Sequence, residues 1–315
     1  MGEFVKMGNR KMAGTAKWMG LLLGLVLLAG CGGGGGGSST EIYVADSLNN
    51  RLVMTSDLSV ADWTTYDSGP LNAPSGVFVD QTGTIYFTDK LNYRVVRMKD
   101  MTGAELTAFG SFGTGANQFA SPMGIFLDSI GRIYVADPES FRLVKMDDMA
   151  GKNWRGFISP DYCCPWSVFV DKAGKIYVAY NFSSVIVQMD DIFGSNTKVL
   201  GAVGSGINQF NVPIGVFVDR FGKIYVADSN NSRIVRVDDM TGRGWTTFGE
   251  SGSGTGQFNR PQGVFVDHKG LIYVTDYFNN RIVRMDDMTG AGWVAFGTSG
   301  NGVGEFSGPA AIYLH

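Results

Sequence analysis

Cys163 and Cys164 are neighbouring residues with reactive side chains, in the segment YCCPWSVFVD at 162–171. A disulfide between adjacent cysteines strains the peptide bond that joins them, and strained disulfides are easily reduced. The alternative is a pair of reduced thiols that pack as small apolar groups. Pro165 disfavours helical backbone before it, so we expect an extended Cys164 in a stiff loop. In both cases we predict that the pair shapes this loop and carries no catalysis.

The histidines and glutamates do not form a pattern typical of an active site. His268 follows Asp267 in a predicted turn, and His315 is the last residue. Neither stands where it could serve a serine or cysteine as a general base. Only five glutamates follow residue 30, in turns, loops or strand ends: Glu41, Glu105, Glu139, Glu250 and Glu305. We therefore predict no catalytic residue, no metal site and no cofactor.

An aspartate followed five residues later by an arginine recurs along the chain and could indicate charged catalytic pairs. We interpret the pairs as structural, because repetition suits a requirement of the fold whereas an active site usually needs asymmetry. Each pair would fix the short connection between two strands. Tyr180 and Val185 interrupt the series. The pairs are Asp46/Arg51, Asp89/Arg94, Asp137/Arg142, Asp228/Arg233 and Asp276/Arg281.

The elements that position these residues belong to one repeated unit. Runs such as GVFVD, KIYVAD and RIVRMDD are β-branched or aromatic and are bounded by turn residues, which is typical of short strands. No helical pattern occurs in the unit. Four antiparallel strands in about 45 residues predict one blade of a β-propeller. Six blades are predicted by the tyrosines of the second strands, spaced 43 or 48 residues apart: Tyr43, Tyr86, Tyr134, Tyr177, Tyr225 and Tyr273.

The repeat resembles the NHL family over residues 41–315. The shared core reads P-x-G-V-x-V-D-x-x-G-x-I-Y-V-A-D-x-x-N-x-R-I. This resemblance implies an all-β, six-bladed propeller with four-stranded antiparallel blades. The fold begins with a second strand, EIYVAD, and ends with a first strand, GPAAIYLH. We expect the C-terminal strand to pair in the first blade and close the ring, which removes exposed sheet edges.

The channel mouth is the predicted binding surface, where the loops from fourth to first strand and from second to third strand emerge. A proline opens the first strand of each unit, and the residue that follows it should lie at the channel mouth. We call these six residues the rim residues: Ser75, Met123, Trp166, Ile214, Gln262 and Ala310. Met123, Trp166 and Ile214 would form an apolar arc on three adjacent blades. Aromatic side chains in such places are typical of peptide and saccharide contacts. The predicted ligand contacts are Lys90, Met123, Trp166, Tyr180, Phe182, Ile214, Gln262, Tyr277 and Phe278.

Three departures from the repeat coincide in the fourth blade. The loop before it is shortened by five residues, an exposed Trp166 is expected there, and the Asp/Arg pair is missing. One interpretation is a blade specialised for a ligand. The other is drift in a short loop, with Trp166 filling the space that the missing residues leave. Both interpretations remain open at this point.

The first 30 residues have the features of an export signal. Basic residues precede the apolar run WMGLLLGLVLLAG, which is too short for an uninterrupted membrane span. LAGC at 28–31 resembles the lipobox of bacterial lipoproteins, which implies cleavage before Cys31 and lipidation of its sulfur. A plain secretory signal is the alternative. Residues 31–40, rich in glycine, are expected to be a flexible tether, and Gly32 favours the outer membrane over inner-membrane retention.

The charge balance excludes one class of partner. Lys and Arg number 26 against 29 Asp and Glu, and four of the basic residues lie in the leader. The remaining chain is acidic and shows no basic cluster, so nucleic acid is not an expected partner. We expect a lipid-anchored protein of the cell envelope that binds a protein or glycan without catalysis. A metal-dependent lactonase or lyase, which other six-bladed propellers exemplify, is the alternative.

Overall fold

The computed structural model describes residues 40–315. The predicted leader at 1–30, the lipidation site Cys31 and nearly all of the tether lie outside the described residues. The described part forms six four-stranded antiparallel sheets, which confirms the predicted six-bladed β-propeller. Between residues 40 and 315, no helix is both long and apolar enough to cross a membrane.

Blades are numbered along the chain, and the strands of each blade from the channel outward. Blade 1 consists of Pro309–Leu314, Glu41–Asp46, Arg51–Ser56 and Thr64–Tyr66, and blade 2 of Pro74–Val79, Ile85–Asp89, Arg94–Met98 and Thr107–Phe109. Blade 3 consists of Ile125–Leu127, Ile133–Asp137, Arg142–Met146 and Arg155–Ile158, and blade 4 of Pro165–Val170, Ile176–Tyr180, Val185–Met189 and Lys198–Leu200. Blade 5 consists of Pro213–Val218, Ile224–Asp228, Arg233–Val237 and Thr246–Phe248, and blade 6 of Pro261–Val266, Ile272–Asp276, Arg281–Met285 and Val294–Phe296.

The C-terminal strand closes the ring as the sequence predicts. Residues 309–314 pair antiparallel with residues 42–46, and Val44 stands opposite Ile312. Backbone hydrogen bonds between Glu41 and His315, of 3.1 and 2.9 Å, extend the ladder by one residue. Blade 1 is therefore complete only when both ends of the described chain are in place.

The hydrophobic core lies in layers between neighbouring blades. In one layer, Tyr177 and Ile186 of blade 4 pack with Val216, Ile224 and Val235 of blade 5. Residues at the centre of every second strand are wholly buried: Val44, Phe87, Val135, Val178, Val226 and Val274. These layers explain the β-branched and aromatic runs, since each second strand is covered on both faces.

In every blade except blade 4, the connection from second to third strand contains a single 3₁₀ turn, which the strand pattern did not predict. The turns are Ser47–Asn49, Lys90–Asn92, Pro138–Ser140, Ser229–Asn231 and Tyr277–Asn279. Each is followed by a residue in the left-handed region, such as Asn50 with φ 53° and Asn280 with φ 52°. A four-residue connection between paired strands closes with one i→i+3 hydrogen bond, so no longer helix forms.

Gly-rich loops connect the fourth strand of most blades to the first strand of the next. The loop before blade 6 is tied by the short parallel pair Glu250–Ser251 and Gln257–Phe258. The side chain of Gln257 accepts the Gly254 N–H at 2.9 Å. Gln118 and Gln209 make the same contact in their loops. Because these amides are used inside the loops, the loops hold their own shape.

Candidate functional site

Six aromatic side chains form a closed belt around the central channel, one from each first strand. The centroids of neighbouring rings lie between 4.6 and 5.2 Å apart, as in other aromatic contacts. Tyr313 of the C-terminal strand lies 4.6 Å from Phe78, so the closing strand supplies one member. Burial, followed by the charge of Asp80, raises the pKa of Tyr313 to about 12. The members of the belt are Phe78, Phe126, Phe169, Phe217, Phe265 and Tyr313.

A cavity of about 100 Å³ lies between this belt and the rim residues. All six rim residues line it, as predicted from the sequence. The apolar arc of Met123, Trp166 and Ile214 belongs to blades 3, 4 and 5, opposite the smaller or more polar Ser75, Gln262 and Ala310. Met123 is buried, whereas Trp166, Ile214 and Gln262 are half-buried. The sequence predicts an exposed Trp166, and this prediction overstates its exposure. The side chain is half-buried because its ring faces the cavity.

Hydroxyl groups near the cavity bind backbone atoms of their own fold. Ser167 Oγ donates to the Ile214 carbonyl at 2.6 Å, and Thr88 Oγ1 donates to the Met123 carbonyl at 2.5 Å. Ser75 Oγ donates to the Ala73 carbonyl at 2.9 Å. The cavity consequently presents a mainly apolar wall to whatever enters it.

A crown of exposed apolar side chains stands on the same face as the cavity. Each member is the second residue of a connection between the second and third strands, and each is 46–68% exposed. The members are Leu48, Leu91, Phe182 and Phe278. These connections bond to the loops that lead into the first strands, for example through Phe278 N–H to the Asn259 carbonyl. Phe182 and Phe278 thus lie where the sequence predicts ligand contacts. The predicted contacts Lys90 and Tyr277 are half-buried beside them.

The Asp/Arg pairs are ion pairs that fix the loops, which confirms their structural interpretation. In blade 6, Arg281 Nε donates to Asp276 Oδ2 at 2.8 Å, and its other nitrogens donate to carbonyls of the Gly-rich loop. Asp276 Oδ1 accepts the Asn259 N–H of the same loop at 2.7 Å. Burial raises the pKa of Asp276, while the hydrogen bonds from Asn259, Asn279 and Arg281 act in the opposite direction. We call this arrangement the loop clamp.

A tryptophan and a phenylalanine complete the loop clamp, and the strand pattern predicts a role for neither. The guanidinium of Arg281 lies 5.7 Å from the ring of Trp293, and Trp293 lies 5.3 Å from the buried Phe258. Blades 1, 3 and 5 repeat this stack. The signal was present, since the tryptophan follows the arginine by 12 residues each time: Arg51/Trp63, Arg142/Trp154, Arg233/Trp245 and Arg281/Trp293.

Blade 4 has apolar packing in place of the loop clamp. The prediction that Tyr180 contacts a ligand at the channel mouth is therefore wrong. Tyr180 is 1% exposed and packs with Tyr162 at 5.9 Å and with Val185 in the core. Its hydroxyl is buried without a hydrogen-bond partner, and burial raises its pKa. Blade 2 keeps its Asp/Arg pair although the connection before it, residues 67–73, is similarly short. The loss of the pair is therefore a feature of blade 4 and not a consequence of loop length alone.

The cysteine loop is bound to the same blade by other contacts. Cys163 N–H donates to Ser183 Oγ at 3.0 Å, where other blades use the clamp aspartate. Cys164 has φ 65°, so the expected extended backbone is wrong. Ala73, Val212 and Arg260, which also precede prolines, have the same left-handed backbone. The entry into the first strand requires this conformation, and it prevails over the local preference for extended backbone.

The histidines lie away from the cavity. His268 is exposed in the turn from first to second strand, at the opposite end of the blade from the mouth, and His315 is exposed after the closing strand. Within residues 40–315, no three His, Cys, Asp or Glu side chains stand together as metal ligands. The candidate site is thus an apolar cavity with an aromatic floor, bordered by a partly apolar crown.

The fold and this site define a six-bladed β-propeller with a small apolar channel mouth. The family DUF5128, described as a 6-bladed beta-propeller, matches residues 214–292, which cover blade 5 and most of blade 6. No curated protein matches the chain in sequence.

Solved structures share the fold at low sequence identity. A chain of the nidogen/laminin complex is 17% identical, with a TM-score of 0.69 over 87% of this chain and 98% of that one. A protein of unknown function from Bacteroides caccae is 14% identical, with a TM-score of 0.64 over 88% and 99%. Virginiamycin B lyase from Staphylococcus aureus is 14% identical, with a TM-score of 0.58 over 81% and 80%. At such identities the likeness concerns the fold alone.

Proposed function

We propose that this chain is a cell-envelope lipoprotein whose propeller binds a protein or glycan partner at the channel mouth without catalysing a reaction. The observation that supports this function is the apolar cavity between the rim residues and the aromatic belt. Apolar and aromatic side chains form the energetic centres of many recognition surfaces. The crown supplies further exposed apolar groups on the same face. A partner that covers the crown would remove these groups from water.

The localisation rests on the sequence. LAGC at 28–31 resembles a lipobox, and Gly32 differs from the aspartate of inner-membrane retention. The proposal therefore includes a lipid on Cys31 and a place at the outer membrane. The resemblance of the repeat to the NHL family agrees with a binding role.

Capture from envelope extracts tests the binding role. The full chain carrying Trp166→Ala or Phe182→Ala should retain less of a partner than the unchanged chain. Phe221→Ala is the matched control, because Phe221 is 72% exposed on the opposite face. Protease treatment of the extract removes a protein partner, and glycosidase treatment removes a glycan.

Two outcomes would contradict this function. Equal capture by all four chains would place any binding away from the channel mouth. Opening of lactones or cleavage of glycosidic bonds by the purified protein, only with added divalent metal, would favour the enzyme alternative.

A further inference from the structure

The two thiols before blade 4 are already close in the described structure. Cys163 Sγ and Cys164 Sγ lie 3.2 Å apart, whereas a disulfide bond measures about 2.05 Å. Cys163 is exposed and Cys164 is buried. Hydrogen bonds from Cys163 N–H to Ser183 Oγ and from Asn181 N–H to the Cys164 carbonyl hold the loop from both sides. The sulfurs therefore meet in a loop whose backbone is fixed by its own blade.

We propose that Cys163 and Cys164 form a reversible disulfide by exchange with an external disulfide, with Cys163 as the entry thiol and Cys164 as the resolving thiol. The exposure of the two sulfurs sets this order. An external disulfide reaches the exposed Cys163 directly, whereas the loop covers Cys164. The oxidant belongs to the class of dithiol oxidoreductases or small-molecule disulfides found in oxidising compartments.

The exchange takes place in two steps that balance. The Cys163 thiolate attacks one sulfur of the external disulfide, forms a mixed disulfide and releases the other sulfur as a thiolate. Cys164, after losing its proton to water, attacks Cys163 Sγ and releases the second external thiolate. The protein loses two electrons and two protons in total, and one external disulfide becomes two thiols.

The environment of Cys164 changes during this sequence in a way that assists the second step. Burial, followed by the hydrogen bond to Cys163 and the charge of Cys163, together raise the pKa of Cys164 to about 12. Conversion of the Cys163 thiolate into a mixed disulfide removes its negative charge and makes its sulfur a weaker acceptor for the Cys164 S–H. Both effects lower the pKa of Cys164, so its thiolate forms more readily when the second step requires it.

Intact mass spectrometry with oxidised glutathione tests the proposal. The full chain should carry Cys31→Ser, so that only Cys163 and Cys164 react. We expect the reduced protein to lose the mass of two hydrogens and to retain no glutathionyl group. Added reduced glutathione should reverse the change, because the ring between adjacent cysteines is strained.

Two variants assign the roles of the thiols. Cys164→Ser should accumulate one glutathionyl group on Cys163, because the resolving thiol is missing. Cys163→Ser should stay reduced, because the buried Cys164 is not reached. A stable glutathionyl group on the protein that retains both Cys163 and Cys164 would overturn the proposal, and so would the absence of any reaction. Urea unfolding of each variant, with Cys164→Ala as a second form, checks that the loop remains folded.

Discussion

The members of the loop clamp are buried to different degrees in different blades. The side chain of Arg281 is 11% exposed and that of Arg94 is 27% exposed, while Asp276 and Asp89 are wholly buried. Arg281 binds three loop carbonyls at 2.7–3.3 Å, whereas Arg94 reaches one at 3.5 Å. Blade 2 also has Leu106 where other blades have the stacked tryptophan. The clamp should therefore contribute more stability in blade 6 than in blade 2.

Substitution of the two arginines measures this difference. Arg281→Met should lower the free energy of unfolding by about 3–5 kcal/mol, because a buried carboxylate and loop carbonyls lose their partner. Arg94→Met is the matched control and should cost clearly less. Urea unfolding followed by circular dichroism gives both values. Equal losses would show that the loop carbonyls add nothing to the pair.

Restoring the charged pair in blade 4 tests whether the apolar packing of Tyr180 and Val185 stabilises this blade. The double variant Tyr180→Asp/Val185→Arg should be destabilised by about 3 kcal/mol or more, because it removes buried apolar packing and places two charges among apolar side chains. The thermal midpoint, compared with that of the unchanged protein, is the measurement. An increase in midpoint would contradict a stabilising role of this apolar packing.

Single residues were predictable from the sequence where the repeat determines them. The Asp/Arg pairs and the rim residues recur in register, so their places followed from the strand order. Tyr180 was misplaced because the repeat shows that it replaces the clamp aspartate but does not show that its ring packs in the core. The left-handed Cys164 was missed because the path of the chain into the first strand prevails over its local preference.

At the scale of single elements, the closing strand joins the two ends of the described chain. It supplies the first strand of blade 1, and Tyr313 completes the aromatic belt between Phe265 and Phe78. Ile312 and Leu314 are buried against Ile42 and Val44. Without this strand, the second strand of blade 1 would present a free edge to the channel.

Deletion of residues 309–315 should therefore strongly destabilise the propeller. We expect a large decrease in the thermal midpoint or the loss of cooperative unfolding. Ile312→Ala and Val264→Ala provide a matched comparison, because the two residues occupy the same position in the first strands of blades 1 and 6. We expect both substitutions to lower the free energy of unfolding by similar amounts. A truncated chain that melts like the full chain would contradict closure of the ring.

The elements themselves were predictable because each unit repeats strand lengths and turn residues. A period of 43 or 48 residues determines the blade, and the incomplete units at 41–46 and 309–315 imply the closure. The 3₁₀ turns and the parallel pairs of the Gly-rich loops were not predictable from strand periodicity, because they depend on hydrogen bonds between connections. The aromatic belt was visible only as the third letter of GVFVD, and the contacts between its members depend on closure of the ring.

At the scale of the whole molecule, the proposed anchor depends on Cys31. Cys31→Ser should leave the protein uncleaved or release it as soluble material, because its sulfur can no longer carry a lipid. Membrane fractionation combined with mass spectrometry of the mature protein checks this outcome. A variant that stays membrane-bound at its mature mass would contradict the lipobox assignment.

The central claim is that a partner contacts the channel mouth, and site-specific photocrosslinking in cells tests it most directly. A benzophenone amino acid at position 166 lies in the cavity wall, and the same group at position 221 lies exposed on the opposite face. We predict a discrete crosslinked product after irradiation with the group at 166, and none with the group at 221. Products at 221 and none at 166 would contradict a binding site at the channel mouth.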